Sequence, residues 1–381
     1  MKIAVIDPSG FTPPYDDQLC NALGSLDNEV KLFTRKLRKN DCFNQKHYSI
    51  DEHFYRLSES LSKSNILTKY IKGFEHILNV FTLSSKLKEF APDIIHFQWC
   101  SIPAIDSIYL SSYKKTAPII LTVHDTNAFH GNPTSKLQLF GWGNILKKFD
   151  HLIVHTNHSK QQLLNYEVVN DKISVVQHGI IELNKSKHID SKIIEQKINI
   201  LFFGNIKEYK GLDILLKAFD LLPVEVKEKS LLTIAGKNSL PRGELERLIN
   251  NLSINNYINL RLEYIPDEEV DAIIKMANII VFPYKDIDAS GVLMLTLPYG
   301  KAIIASRLNA FTEIIRHQEN GLLVKPDNVI ELSRELEKLV NDGELREKLG
   351  AGCLETAKNI PSWENISKRT INIYCNLKNK I

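Results

Sequence analysis

Short apolar runs recur along this chain of 381 residues, and each is followed by a stretch with helical periodicity. A strand that is buried on both faces reads as such a run, because helices cover both faces of its sheet. The alternation predicts βαβ units and doubly wound parallel sheets, an α/β fold. The predicted strands are Ile3–Ile6, Ile94–Phe97, Ile119–Val123, His151–His155, Ile173–Gln177, Ile198–Phe203, Ser230–Ala235, Ile258–Arg261, Ile279–Phe282 and Ala302–Ala305.

The strand pattern starts twice, at residues 2–6 and again at residues 200–203, and a polar, charged stretch lies between the two halves. The length also exceeds that of one ordinary core. We therefore predict an N-terminal domain over residues 1–180, a linker over 181–197 and a C-terminal domain over 198–362. A last helix over residues 363–381 carries Trp363 and Tyr374 on one face, which is typical of a helix that packs on a core.

Composition excludes several classes of protein. The formal net charge of +3 gives no reason to expect nucleic acid as a partner, and no nucleic-acid-binding signature is present. The five cysteines form no CxxC pair, which argues against a disulfide framework or a zinc site. The N-terminus lacks the pattern of a signal peptide, and no window reaches the ~18–20 apolar residues of a membrane span. We expect a cytoplasmic protein.

A glycine and lysines follow the first strand of the second half, in the segment Phe203–Gly211. Gly204 at a strand end allows backbone to approach a phosphate, and the helix that follows offers unpaired N–H groups. Lys210 and Lys207 add positive charge for a diphosphate. Taken alone, the segment favours a plain βα turn with solvated lysines, because glycine-rich turns are common.

Three further segments look like sites rather than scaffold. Asp288–Leu293 brings Ser290 and Gly291 to the start of an apolar helix. Gly300–Ser306 turns into a buried strand and leads on to Glu313. Thr122–Thr126 ends a strand of the first half and contains His124.

Taken together, these motifs resemble the retaining glycosyltransferases of the GT-B fold known as family 4, of the bacterial polysaccharide type. The match covers G-x-I-K-x-Y-K-G-L-D at Gly204–Asp213, then F-P-Y, S-G-V-L, G-K-x-x-I-A-S, E and N-G-L-L-V in order. In the first half, V-H-D, V-H-T and Q-H-G match at residues 123–125, 154–156 and 177–179. The resemblance implies two Rossmann-like domains facing across a cleft, with the terminal helix crossing back to the first.

The resemblance assigns roles to individual residues. Lys210 is similar to the lysine that binds the donor diphosphate, and Lys207 is expected to supply charge where Asn205 replaces an arginine. His124 resembles the active-site histidine beside the transferred sugar. The remaining donor-binding positions that it implies are Gly10, Gly204, Ser290, Gly291, Val292, Leu293 and Glu313.

One pair of family residues is missing. The glutamate pair E-x7-E falls on Ile287 and Leu295, so the usual contact to the nucleotide ribose is lost. Asp288 or Asp286 can replace the glutamate that contacts the donor sugar. We count Asp288 with His124 and Lys210 as catalytic. The Asp286-Ile287-Asp288 triplet also reads as a D-x-D metal motif, but the resemblance implies catalysis without a metal or another cofactor.

Other functions compete with sugar transfer. A nucleotide-sugar epimerase or hydrolase of the same fold would need a carboxylate base at the site, and the lost glutamate pair leaves a non-catalytic nucleotide-sugar-binding protein open. A nicotinamide-dependent oxidoreductase predicts G-x-G-x-x-G after the first strand, where this chain has D-P-S-G-F-T-P-P. A local hydrogen-bonding role for His124 is also open, and His130, His155 and His178 are weaker site candidates than His124.

The acceptor is expected on the first domain, because the donor motifs fill the second. Its predicted contacts are the loops Ser9–Tyr15 and Asn127–Pro133. The expected donor is a UDP-sugar rather than a GDP-sugar, and the expected acceptor is a saccharide or a lipid-linked sugar. The lysine-bearing, apolar segment Leu67–Phe90 is predicted to form an ordinary amphipathic helix pair packed on the domain. The alternative is that the basic, apolar stretch Lys63–Lys88 rests on an anionic membrane.

Overall fold

The computed structural model describes residues 1–38, 41, 43–61, 66–127, 140–183, 197–241 and 243–379. The chain divides into two compact units. The N-terminal unit comprises Met1–Gly179 with Pro361–Ile381, and the C-terminal unit comprises Ile180–Ile360.

The N-terminal unit is built on a parallel sheet in the order β3-β2-β1-β4-β5-β6-β7. The strands are β1 (Lys2–Asp7), β2 (Glu29–Arg35), β3 (Ser49–Phe54), β4 (Ile94–Phe97), β5 (Ile119–Thr122), β6 (His151–Val154) and β7 (Ile173–Val175). The α-helices are Pro13–Gly24, Ile66–Phe90, Pro103–Lys114, Trp142–Lys148, Asn157–Asn165 and Trp363–Lys378. Alternate residues of β1 enter two apolar clusters, one on each face of the sheet, and the terminal helix adds Ile366 and Tyr374 to one of them.

The C-terminal unit repeats this plan with the order β10-β9-β8-β11-β12-β13, again all parallel. Its strands are β8 (Ile198–Phe203), β9 (Ser230–Ala235), β10 (Ile258–Arg261), β11 (Ile279–Phe282), β12 (Ala302–Ser306) and β13 (Leu322–Val324). Its α-helices are Leu212–Asp220, Val224–Glu228, Glu244–Asn250, Asp267–Met276, Gly291–Thr296, Asn309–Thr312, Val329–Asn341 and Gly343–Asn359.

The doubly wound parallel architecture predicted from the sequence is confirmed, with two differences. Strands β2, β3 and β13 were not predicted, because they are short or carry polar residues among the apolar ones. The predicted pair of helices after residue 66 is wrong: Ile66–Phe90 is one continuous helix of 25 residues. No helix among the described residues is long and apolar enough to cross a membrane.

Strand order reverses once in each sheet, between β1 and β4 and between β8 and β11. Chains leave the carboxyl ends of such neighbouring strands in opposite directions, which opens a crevice where doubly wound folds bind ligands. Gly10 follows β1, and Gly204 follows β8. The predicted glycines therefore lie at the two reversal points.

Candidate functional site

A row of polar side chains follows four neighbouring strands of the N-terminal sheet. Gln98 comes directly after β4, His124 two residues after β5, His155 directly after β6 and His178 three residues after β7. Because parallel strands end at the same edge of the sheet, these side chains collect there although up to 80 residues separate them in sequence. All four are buried.

Hydrogen bonds join this row. Nδ1 of His124 lies 3.1 Å from Nε2 of His155, and Nδ1 of His155 lies 3.0 Å from the carbonyl oxygen of Val176. On its other side, Nε2 of His124 lies 3.2 Å from Oε1 of Gln98. His178 hydrogen-bonds through Nδ1 to the carbonyl oxygen of Gly179 at 2.6 Å.

Aromatic rings enclose the histidines. The ring of Tyr15, from the helix Pro13–Gly24, lies with its centroid 4.8 Å from His124, 5.2 Å from His155 and 5.0 Å from His178. Trp363, at the start of the terminal helix, packs edge-on against Tyr15 at 5.1 Å. The terminal helix thus belongs to the wall of this site, which we call the histidine cluster (Tyr15, Gln98, His124, His155, His178 and Trp363).

A second contact fixes the terminal helix to the sheet. His96 of β4 is hydrogen-bonded through Nδ1 to the hydroxyl of Tyr374 at 2.6 Å and through Nε2 to the hydroxyl of Thr122 at 2.7 Å. Gly179 permits close packing nearby, because a Cβ added there would lie 2.7 Å from the ring of Trp363.

Burial keeps the histidines neutral. It lowers the pKa of His155 to about 4 and those of His96 and His178 to about 3. The pKa of His124 is lowered well below its ordinary value, first by burial and then by the neighbouring His155. The cluster therefore presents uncharged donors and acceptors, which suit hydroxyl groups better than phosphates.

The loop after β1 is held by a buried carboxylate and a buried guanidinium. Asp7 accepts hydrogen bonds from the backbone N–H groups of Ser9 and Phe11, and Nε of Arg35 donates to the carbonyl of Ser9 at 3.0 Å. Gly10 has a φ of +57°, and a Cβ there would lie 2.9 Å from Nε of Arg35. The loop accordingly requires glycine at this position.

The same loop carries an aromatic stack. Phe11 lies parallel to Trp99, from the loop after β4, with ring centroids 3.9 Å apart. Trp99 is buried, whereas Phe11 is 39% exposed. The reversal point between β1 and β4 therefore carries a partly exposed aromatic face beside the Gly10 loop.

In the C-terminal unit, Gly204, Lys210 and Val292 converge at the reversal point between β8 and β11. Gly204 has a φ of +110°, and a Cβ added to it would lie 2.9 Å from Nζ of Lys210 and 3.3 Å from a methyl of Val292. Lys210 is only 6% exposed, and its Nζ lies 5.4 Å from the centroid of the Tyr284 ring. The fold thus holds a buried lysine against bare backbone, and we call Gly204, Lys210, Tyr284 and Val292 the lysine site.

Backbone contacts tie the two loops of the lysine site together. The N–H of Lys285 donates to the carbonyl of Tyr209 at 2.7 Å. Gly211 has a φ of +66°, and a Cβ there would lie 1.9 Å from the carbonyl oxygen of Pro283. The G-x-I-K-x-Y-K-G motif therefore contacts the F-P-Y motif, although about 75 residues separate the two in sequence.

The other predicted donor-binding residues lie around these loops. Ser290 caps the helix Gly291–Thr296 by accepting a hydrogen bond from the N–H of Leu293 at 3.1 Å. Leu295, at the usual ribose-binding position, is buried within that helix. The side chains with solvent access are Asn205, Asp286 and Glu313, which are exposed, and Lys207 and Asp288, which are half-buried.

No group of three or more His, Cys, Asp or Glu residues with metal-binding geometry occurs among the residues that the structure describes. The loop predicted at Asn127–Pro133 lies outside the described residues from position 128 onward, as does His130.

The sequence singles out His124, ranks His155 and His178 as weaker candidates, and predicts Tyr15 only as the end of an acceptor loop. It gives no site role to Gln98 or His96. A signal for several of them is present: Gln98, His124 and His178 each directly follow a predicted strand, and His155 is the last residue of one. Only the strand order shows that β4 to β7 are neighbours, and the sequence does not state that order.

Comparisons with known proteins agree with this architecture. The model for "Glycosyltransferase Family 4" matches residues 17–181, and that for "Glycosyl transferases group 1" matches residues 184–353. An uncharacterized glycosyltransferase of Methanocaldococcus jannaschii is 30% identical over 245 residues, which are 62% of this chain and 60% of that protein. The chain spans between 54% and 62% of the length of three such curated relatives.

Two solved structures share the fold. Sucrose-phosphate synthase from Thermosynechococcus elongatus superimposes with a TM-score of 0.79 at 18% identity and full coverage of both chains. Anabaena HepE in complex with UDP-glucose superimposes with a TM-score of 0.77 at 15% identity, over 99% of this chain and 100% of HepE. By its sequence motifs, its two parallel sheets and these matches, the chain belongs to the family 4 glycosyltransferases of the GT-B fold.

Proposed function

We propose that this protein transfers a sugar from a nucleoside-diphosphate donor to a hydroxyl of a saccharide or lipid-linked acceptor, with retention of configuration. The observation that carries the proposal is the lysine site. A buried ammonium beside a glycine at a reversal point is suited to a diphosphate, because the missing side chain lets phosphate oxygens approach backbone and lysine together.

In this proposal Lys210 does the electrostatic part of the chemistry. Negative charge grows on the diphosphate as its bond to the sugar breaks, and a buried cation stabilises that charge more strongly than water does. The lysine supplies the charge that a divalent metal would otherwise supply, so we propose that turnover needs no metal. Addition of EDTA should leave turnover unchanged, and a full loss of activity would contradict this part of the proposal.

The donor base is the next question. HepE was crystallised with UDP-glucose, and we propose a UDP-sugar for this chain as well. Thermal-shift measurements with UDP and GDP test this directly. A stabilisation by UDP and not by GDP is expected, whereas a shift with neither nucleotide would contradict a working donor site.

We propose that the histidine cluster contacts the sugar and that the neighbouring aromatic stack contacts the acceptor. His124 offers a neutral nitrogen to a sugar hydroxyl. The exposed face of Phe11 is suited to packing against the apolar face of a sugar ring. Phe11→Ala should weaken acceptor use and leave donor hydrolysis by water unchanged, and equal losses in both reactions would place Phe11 elsewhere.

Epimerases and hydrolases of the same fold are the alternative. They act on the donor without a second sugar, so release of UDP with and without candidate acceptors separates the classes. A transferase gives faster release when its acceptor is present. A rate of UDP release that no acceptor changes would favour hydrolysis. Conversion of the donor to an isomeric nucleotide sugar, without net release of UDP, would favour epimerisation.

The helix Ile66–Phe90 supports a lipid-linked acceptor at a membrane surface. One face of this helix enters the core through His76, Val80, Leu83, Leu87 and Phe90. A second apolar stripe, at spacings of three and four residues, faces solvent: Leu67, Tyr70, Phe74, Ile77 and Phe81. Three of these side chains are aromatic, and Tyr70 is 75% exposed. Soluble domains rarely leave such a stripe uncovered.

Charge favours an anionic bilayer as the surface that covers this stripe. Lys69 and Lys88 are exposed on the same helix, whereas Lys72 is bonded to Glu59 and Lys86 lies 3.3 Å from Asp51. The aromatic stripe should therefore contribute more than the lysines, each of which adds ~1 kcal/mol at most. We accordingly propose work on a surface polysaccharide or glycolipid at the cytoplasmic face of the membrane.

Co-sedimentation with vesicles tests the surface. The wild type should bind vesicles containing phosphatidylglycerol at low salt, and Tyr70→Ser with Phe74→Ser and Phe81→Ser should lose most of that binding. Charge reversal at Lys69 and Lys88 should reduce it less. If the wild type does not co-sediment with anionic vesicles, a soluble acceptor replaces the lipid-linked one in the proposal.

A further inference from the structure

The geometry of the histidine cluster assigns a role to His155, and this inference rests on the proposed function. We infer that His155 is a positioning residue that fixes the tautomer of His124. In that tautomer His124 carries its proton on Nδ1 and presents a lone pair on Nε2, which accepts a hydrogen bond from a hydroxyl of the donor sugar.

The argument starts at the carbonyl of Val176. A carbonyl oxygen can only accept, so the nitrogen that lies 3.0 Å from it, Nδ1 of His155, must carry a proton. A neutral imidazole has one N–H, which leaves Nε2 of His155 as an acceptor. The nitrogen 3.1 Å away, Nδ1 of His124, must then be the donor.

The opposite arrangement fails at the same carbonyl. Suppose instead that Nε2 of His155 donated to His124. Nδ1 of a neutral His155 would then have no proton, and its lone pair would face the carbonyl oxygen of Val176, which is also an acceptor. Only a charged His155 could donate on both sides. Burial, which lowers the pKa of His155 to about 4, excludes that form near neutral pH.

The last nitrogen of the chain follows from the others. Neutral His124 with a proton on Nδ1 has an unprotonated Nε2, which lies 3.2 Å from the atom placed as Oε1 of Gln98, so this tautomer requires the amide of Gln98 to be turned over. An amide can present either its oxygen or its NH₂ group after a half-turn about its last torsion. The lone pair of Nε2 calls for the NH₂ group, and a sugar hydroxyl that donates can take its place.

The ring of Tyr15 and the backbone around the cluster keep this chain of bonds in position. Tyr15 packs against both imidazoles, so neither ring can turn over without displacing it. The groups in this series of hydrogen bonds are the carbonyl of Val176, the imidazoles of His155 and His124, and the amide of Gln98. None of these groups is charged. The tautomer is thus determined by hydrogen bonds and not by an ion pair.

The first test reads the tautomer in the resting wild-type protein. Nitrogen-15 labelled histidine, observed through two-bond proton correlations, distinguishes protonated from unprotonated ring nitrogens, and His124→Gln assigns the signals. We expect both His124 and His155 to carry the proton on Nδ1. A proton on Nε2 of His124 would overturn the inference whether or not the protein transfers sugar.

The second test compares two polar replacements of His155. Gln places an amide oxygen about where Nε2 was, so His155→Gln should keep the acceptor for His124 and most of the turnover. Asn can still bond to Val176 but is too short to reach His124. His155→Asn should therefore lose about 10-fold to 100-fold in kcat, the scale for residues that orient a functional histidine, with a smaller change in KM for UDP-glucose.

Failure of the inference and failure of the proposed function can be told apart. Equal turnover of the Gln and Asn variants overturns the role of His155 alone. If His124→Ala also keeps wild-type turnover, the proposed contact between His124 and the sugar is wrong, and the role of His155 falls with it.

Discussion

The two sheets of this protein have the same doubly wound plan, but the carboxyl ends of their strands carry opposite kinds of groups. In the N-terminal unit the edge is filled with aromatic and imidazole rings, which burial keeps neutral. In the C-terminal unit the edge is bare: glycines at positions 204 and 211 have positive φ, and one buried lysine lies against the first of them.

Under the proposed function, the difference explains how one fold would bind two chemically different parts of a substrate. Neutral rings and lone pairs suit hydroxyl groups and sugar faces, whereas bare backbone with an ammonium suits a diphosphate. Each edge would perform poorly in the other role. A neutral cluster has no charge with which to bind a phosphate. A single lysine side chain makes too few contacts to distinguish one sugar from another.

The largest effect is expected from removing the charge at the bare edge. Lys210→Ala should lower turnover by roughly 10²-fold or more, the usual scale for losing one group that stabilises developing charge. Lys217→Ala is the matched control, because Lys217 lies on the next helix with an exposed side chain. Steady-state UDP release measures both. Turnover of Lys210→Ala close to that of the control would remove the lysine site from the mechanism.

Acid should lower the free energy of unfolding through the buried histidines of the N-terminal unit. The pKa of His155 is lowered to about 4 in the folded state, so the neutral form stabilises the fold fully above the unfolded pKa of about 6.5. That contribution is lost as the pH falls from 6.5 toward 4, because the unfolded chain binds the proton first. Between pH 6.5 and pH 5 the loss is about 2 kcal/mol for one such histidine.

Urea unfolding of the wild type and of His155→Gln at pH 7 and pH 5 measures this pH-dependent loss of unfolding free energy. The variant lacks the titrating ring, so its free energy of unfolding should fall by about 2 kcal/mol less than that of the wild type between these pH values. His178→Gln should behave similarly, since burial lowers the pKa of His178 to about 3. Equal pH dependence in all three proteins would show that the rings are not buried as neutral groups.

The bare edge could be predicted from sequence more fully than the filled one. Gly204 and Lys210 belong to one continuous motif, so local order alone places them together. The histidine cluster draws on six separate segments, one of which is the terminal helix, and its assembly depends on the strand order. The sequence predicts that His124 follows one strand and that His155 ends another, but not that the two strands are neighbours.

Strand prediction failed for a related reason. Runs of apolar residues identify strands that helices cover on both faces. Strand β3, at the end of the sheet, has the sequence S-I-D-E-H-F and is buried only at its last two residues. Its polar residues bond to neighbouring segments: Glu52 accepts a hydrogen bond from the N–H of Leu37, and the His53 ring bonds to the carbonyl oxygen of Asn79 in the helix Ile66–Phe90. No continuous apolar run therefore marks this strand.

The packing of the terminal helix against the filled edge should depend on Gly179. Gly179→Ala places a methyl group 2.7 Å from the Trp363 ring, too close without a shift of the helix. Overpacking of this kind costs about 1–3 kcal/mol, and thermal unfolding should show it. Gly73→Ala is the control, because a Cβ at Gly73 meets nothing within 4 Å. An unchanged midpoint for Gly179→Ala would show that the terminal helix does not rely on this contact.

The smallest effect is expected from adding charge to the bare edge. Asn205 is exposed directly after Gly204, at the position where the family resemblance expects an arginine. Asn205→Arg should therefore tighten UDP binding, but by less than about tenfold, because the new charge is solvated and screened. Titration calorimetry at 20 mM and 500 mM salt should show the gain at the lower concentration only, with Asn205→Gln unchanged at both. A gain in affinity that persists at high salt would mean that the arginine makes a buried contact. No gain at low salt would mean that the diphosphate lies away from Asn205, and that Lys210 and Lys207 alone supply the charge at this edge.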